Sequence, residues 1–140
     1  MHEDLSYFED RLRVLVADDN DELRGRIVDM LDAAFDVVGE VSTGRGLVDA
    51  AMALAPDVIV SDLMMPSLTG AEALMMLRAA GSTIPFVLQT TAGRHAQAWL
   101  DMGVTCVVDK FDLPSDLETA VRSAAAGRIF VSRGIVTKES

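Results

Sequence analysis

Pro56-Asp57-Val58-Ile59-Val60-Ser61-Asp62 decides the fold. The proline ends what precedes it. The run Val58–Ser61 is β-branched, apolar and too short for a helix, and an acid stands directly after it. Strands without polar alternation are buried on both faces, the habit of parallel sheets. The same form recurs along the chain. Leu12–Ala17 leads into Asp18 and Asp19, Val37–Val41 is a second run, Phe86–Gln89 follows Pro85 and ends at Thr90 and Thr91, and Val104–Val108 leads to Lys110.

Between these runs the apolar residues return at helical spacing. Leu23, Ile27, Met30 and Leu31 share one helix face; Leu47, Ala51 and Leu54 mark a second helix, and Leu74, Met76 and Leu77 a third. Ala98, Trp99 and Met102 belong to a fourth, and Leu117, Val121 and Ala124 to a fifth that Pro114 opens from its first turn. Gly81, Gly103 and Gly127 follow helical stretches, the usual place for a left-handed C-terminal residue. Alternating strands and helices imply an α/β fold: five strands in a doubly wound parallel sheet, helices on both faces. Residues 12–132 form this domain, residues 1–11 a lead-in, and residues 133–140 a tail or the start of a linker.

With 140 residues and half of them hydrophobic, the chain can bury one substantial core. A formal net charge of −10, with 12 scattered basic residues, argues against nucleic-acid binding through its own surface. No apolar run is long enough to cross a bilayer, and Met1 to Asp10 is acidic and unlike a targeting signal. The single cysteine, Cys106, has no internal disulfide partner, which fits a reducing cytoplasm. It reads as buried and inert; Met64–Met65 and Met75–Met76 read as core filling, and His95 as exposed on a helix.

The chemistry lies beyond the strand ends. In open parallel sheets ligands bind past the carboxyl ends, where strand order reverses. With the order 2-1-3-4-5 the first and third strands flank that point, so Asp18, Asp19 and Asp62 meet at one crevice. Three carboxylates so close need a cation, and an oxygen-only set suits Mg²⁺ or Mn²⁺ rather than zinc. A carboxylate so placed can form an aspartyl phosphate, with Thr91 donating its hydroxyl to a phosphoryl oxygen and Lys110 holding another as a point charge. Each residue also has a plainer role open to it. Asp18, Asp19 or Asn20 can cap the first helix, Asp62 can form a turn, Thr91 can cap a helix and Lys110 can be a solvated lysine. The coincidence of positions carries the functional reading.

Val14-Leu15-Val16-Ala17-Asp18-Asp19-Asn20 resembles the first strand and acidic pair of response-regulator receivers. Asp62-Leu63-Met64-Met65-Pro66-Ser67-Leu68-Thr69-Gly70 resembles their phosphoacceptor segment, Thr91-Ala92 their switch threonine and small neighbour, and Lys110 their lysine. The likeness covers about Leu12 to Ser132, and four motifs in order make it specific. Lys110-Phe111-Asp112-Leu113-Pro114-Ser115-Asp116-Leu117 with Ala124-Ala125-Ala126-Gly127 is similar to receivers of the NarL/LuxR type.

The resemblance implies a flavodoxin-like (βα)5 fold and a cytoplasmic two-component signalling protein that regulates transcription. Asp62 would accept a phosphoryl group from a sensor histidine kinase. Mg²⁺ would be held by Asp19, Asp62 and the Met64 backbone carbonyl, with Asp18 acting through water. Phosphorylation would favour a homodimer. DNA would be reached only through a C-terminal helix-turn-helix domain that these residues do not include, and no membrane is involved. The chain would not be an enzyme on outside substrates. Departures fall on the output side: Val107 stands where relatives carry a strand-five aromatic, Phe111 where a proline often follows the lysine, and Thr91 to Gly103 is about one helical turn short. Two other readings remain: a binding module working through its fourth and fifth helices without phosphorylation, and a Mg²⁺-dependent phosphatase. The latter needs a second acid two residues after the nucleophile, where Met64 stands.

Overall fold

A computed structural model describes residues 11–135. The expected lead-in up to Asp10 and the last five residues of the expected tail lie outside that range. Strands β1 (Arg13–Ala17), β2 (Asp36–Val41), β3 (Val58–Asp62), β4 (Phe86–Thr90) and β5 (Cys106–Asp109) fall where the apolar runs place them, shifted by a residue or two at their ends. They alternate with helices α1 (Asp21–Asp32), α2 (Gly44–Leu54), α3 (Gly70–Ala79), α4 (Ala96–Met102) and α5 (Leu113–Ala125). All pairings are parallel and the order is β2-β1-β3-β4-β5, with a two-residue β6 (Phe130–Val131) added at the β5 edge.

Strand periodicity sorts the core into two layers. Leu15, Ala17, Ile59, Leu88 and Val107 face one side with residues of α2, α3 and α4; Val14, Val16, Val60, Val87 and Val108 face the other with α1 and α5. Both faces are covered, which is why the strands read as unbroken apolar runs. Asn20 caps α1, its side chain accepting from Leu23 N at 2.9 Å. The capping role open to Asp18, Asp19 or Asn20 therefore falls to Asn20, and such a cap contributes about 1 kcal/mol. Thr69 and Glu72 form a reciprocal capping box at α3. Gly81, Gly103 and Gly127 all have positive φ after their helices.

Several side chains depart from expectation. On α3 the buried positions are Gly70, Ala73, Leu74 and Leu77, spaced i, i+3, i+4, i+7. That stripe turns Met75 and Met76 outward, at 56% and 38% exposed, and Met64 is 66% exposed in its loop; only Met65 of these four fills core. Ala98 and Met102 likewise face solvent on α4. That helix has seven residues and is preceded by a 3-10 turn, Gly93–His95, so the short segment after Thr91 costs α4 its length. Exposed His95 lies in this turn rather than on a helix, its ring edge-on to Trp99.

Packing continues beyond Ser132. Ser132 N donates to Val107 O at 3.0 Å, extending the β5–β6 ladder, and its hydroxyl joins Asp109 N to the Asp116 carboxylate. The chain then turns, and Ile135 is buried at 8% exposure beside Val107, Trp99 and Ala96. Gly93 makes room for it, since a Cβ there would lie 2.7 Å from Ile135 Cγ1. An aliphatic side chain from the C-terminal segment thus packs in the cluster that holds Val107.

Candidate functional site

The order reversal between β1 and β3 creates the crevice. Asp18 stands one residue past β1, Asp19 next to it, and Asp62 ends β3. The backbone fixes them from several sides. Asp18 N donates to Val41 O on β2 at 3.0 Å, and Arg24 Nη1 donates to Asp18 O at 2.8 Å. Gly70 N donates to Leu63 O at 2.7 Å, drawing the start of α3 so close that a Cβ on Gly70 would collide with the Asp62 carbonyl oxygen. The glycine that closes the segment after Asp62 is therefore a packing requirement. Ser67, in the same loop, takes a left-handed φ of 72° while its hydroxyl accepts from Arg45 N, tying the loop to α2.

One carboxylate oxygen from each of Asp18, Asp19 and Asp62 lies within 4.8 Å of the others. Asp18 is wholly buried and Asp62 is 4% exposed, whereas Asp19 opens to solvent. Lys110, just after β5, puts Nζ 3.0 Å from Asp62 Oδ1. Among the described residues it is the one cation within ion-pair distance of the three acids. Burial pushes the Asp62 carboxyl above the usual aspartate range; the Lys110 ammonium opposes this, and nearby Asp18 adds to it. Three carboxylates against one ammonium leave an uncompensated negative charge in the crevice. The donors are all oxygens, so the site can hold a divalent cation of the Mg²⁺ type.

Four of the six expected residues thus come together: Asp18, Asp19, Asp62 and Lys110. Met64 lies two residues beyond Asp62 in the loop that Gly70 closes. Thr91 is exposed and one residue beyond β4, whereas its neighbour Thr90 ends the strand at 3% exposure, its hydroxyl accepting from Ala92 N at 2.9 Å. A residue that sequence reasoning passed over is Gln89, paired with Asp62 in the β3–β4 register. Fully buried, it donates from Nε2 to Asp18 Oδ2 at 2.8 Å. The available signal was an amide at the end of an otherwise apolar run, Phe86-Val87-Leu88-Gln89. Cys106 is buried, and burial pushes its thiol up to about 11, so it is inert as expected.

Known proteins resemble this chain in sequence and fold. The chain is 31% identical over 131 residues to a nitrate/nitrite response regulator protein homolog of Haemophilus influenzae, covering 91% of this chain and 63% of that protein. It is 32% identical over 115 residues to a protein-glutamate methylesterase/protein-glutamine glutaminase of Nocardioides, covering 80% of this chain and 31% of that protein. The chain therefore spans less than two thirds of either relative. The signal receiver domain of the NarL response regulator from Mycobacterium tuberculosis superposes with a TM-score of 0.79 at 27% identity, covering 84% of this chain and 98% of that domain. Residues 14–122 match the profile of the response regulator receiver domain, a span that runs from β1 into α5 and contains every residue of the acidic crevice. With fold, acidic crevice and profile in agreement, the chain belongs to the response regulator receiver domain family.

Proposed function

We propose that Asp62 accepts a phosphoryl group from the phosphohistidine of a sensor histidine kinase and that Mg²⁺ supports the transfer. The observation that carries this reading is the buried Asp62 carboxylate, held between two further acids and the Lys110 ammonium. Asp62, Asp19 and the Met64 backbone carbonyl would hold the cation directly and Asp18 would act through water; Mn²⁺ would substitute. When bound, the cation neutralises charge on the acids and on the incoming phosphoryl oxygens. An Asp62 oxygen attacks phosphorus as the imidazole leaves, and Lys110 holds a phosphoryl oxygen afterwards. A threonine hydroxyl from the end of β4 takes another. Thr91 is the proposed donor, since Thr90 alternates with Gln89 and so faces away from Asp62.

Phosphorylation adds about −1.5 to −2 charges beside Asp62. We infer that the change reaches the loop Ala92–His95 and Trp99, and that the phosphorylated form self-associates. The output would be transcription, exerted in the cytoplasm and reaching DNA through a helix-turn-helix domain, as the resemblance to NarL/LuxR-type receivers implies. The domain itself would not turn over outside substrates. Met64 offers no general acid where a phosphatase needs one. A methylesterase relative carries its similarity over 31% of its length, so that likeness concerns the receiver alone. Among the described residues no helix is long and apolar enough to cross a membrane. Intact-mass spectrometry after treatment with a small phosphodonor tests the reading. The wild type should gain one phosphoryl group only with Mg²⁺, and Asp62→Asn should gain none; an adduct that forms equally without metal would defeat it.

A further inference from the structure

We propose that Gln89 is a positioning residue of the acidic centre, clamping Asp18 in one orientation and offering its own carbonyl oxygen to the water shell of a divalent cation. This rests on the cation reading given above. Gln89 belongs to β4 and Asp18 follows β1, with β3 between them in the sheet. Register pairs Gln89 with Asp62, and paired residues in a parallel ladder project from the same face. The glutamine side chain therefore crosses β3 on the face that carries Asp62 to reach Asp18 Oδ2 at 2.8 Å. Asn20 N holds the other Asp18 oxygen at 2.9 Å. With a neutral donor on each oxygen, the buried Asp18 carboxylate is locked in place, yet neither donor cancels its charge.

The other end of the same amide is the second observation. Gln89 Oε1 is buried with no hydrogen-bond partner among the described residues. An orphaned buried acceptor is unfavourable, and a leucine would fill this strand position without that cost. An amide here is explained if its oxygen has a partner when the site is loaded. Mg²⁺ dehydrates reluctantly and keeps several waters, which are hydrogen-bond donors. Groups that hold a ligating or water-linked carboxylate typically change metal affinity by 10–100-fold when removed.

The test is calorimetric titration of the whole chain with Mg²⁺ or Mn²⁺. Gln89→Leu and the unbranched Gln89→Met should each weaken binding by about 10-fold. In an Asp18→Asn background, Gln89→Leu should cause a smaller loss, because the part of its effect that passes through Asp18 is already gone. On the unmodified protein, the Gln89 side-chain amide resonances should shift along the same Mg²⁺ titration curve. Unchanged affinity in a folded variant, or amide resonances that ignore bound Mg²⁺, would make Gln89 a core filler and overturn the proposal. A full additional loss in the Asp18→Asn background would overturn it too. Should the wild type take up no metal, the cation reading falls first and this inference with it; normal uptake by both wild type and variant defeats this inference alone.

Discussion

Replacing Lys110 with methionine keeps the apolar stem and removes the ammonium that lies 3.0 Å from Asp62 Oδ1. At that separation and an effective dielectric of about 20, the gross attraction is roughly 5 kcal/mol. Desolvation offsets much of it. Breaking a fully buried pair costs about 3–5 kcal/mol and an exposed pair under about 1. The Asp62 side chain is 6% exposed and that of Lys110 24%, so the loss should fall between, at roughly 1–3 kcal/mol. For a chain of this size that is a drop of about 4–10 °C in melting temperature.

The deficit should depend on pH. Burial already raises the Asp62 carboxyl above its ordinary value against the pull of Lys110, and without that pull it rises further. A carboxyl whose folded pKa is raised binds protons more tightly in the native state, so stability falls as pH climbs from the unfolded pKa to the folded one. In Lys110→Met that falling window reaches higher. The gap between wild type and variant should therefore narrow at the acidic end, where Asp62 takes up its proton, and widen as pH rises. Thermal melts across a pH range, without metal and above the pI of about 4.4, measure it. An equal gap at both ends would refute the claim that Lys110 acts on Asp62 by charge.

Further outcomes follow from the same geometry. Mg²⁺ at about 100 times its dissociation constant should stabilise the wild type by about 2.7 kcal/mol, read as a rise in melting temperature, and Asp19→Ala should lose most of it; equal shifts would remove the metal site. Trp99, the one tryptophan and on α4, should change fluorescence on phosphorylation. That change should largely vanish in Thr91→Ala, and an identical response in both proteins, with Asp62 fully phosphorylated in each, would rule out Thr91 as the transmitter. Ile135→Ala should destabilise the domain by about 2–4 kcal/mol, as truncation of a largely buried side chain does; a denaturant midpoint equal to wild type would deny Ile135 its place in the core.

Strands β1, β3, β4 and β5 were legible because both faces of the sheet are covered there, so each is a short, mostly apolar run that stops at a polar residue. Asp18, Asp19, Asp62 and Lys110 were legible for the same reason, since strand ends in this topology converge. β6 was not, because Phe130–Val131 is too short to show any period and forms by pairing with β5. Ile135 escaped notice because burial one turn beyond a strand depends on the space that Gly93 leaves. The methionines of α3 misled because hydrophobicity alone says nothing of face: Leu74 and Leu77 set the stripe, and Met75 and Met76 fall outside it. Gln89 hid at the end of an apolar run, its purpose visible only once Asp18 lay across β3 from it.

The central claim is that Asp62 itself carries the phosphoryl group. Treating the Mg²⁺-loaded protein with a small phosphodonor, trapping the acyl phosphate with borohydride and sequencing the peptides by mass spectrometry asks this directly. The reduced residue should be found at position 62 and nowhere else, and should disappear when Mg²⁺ is withheld. Trapping at another aspartate, or at none while a phosphoryl adduct persists elsewhere on the chain, would contradict the account.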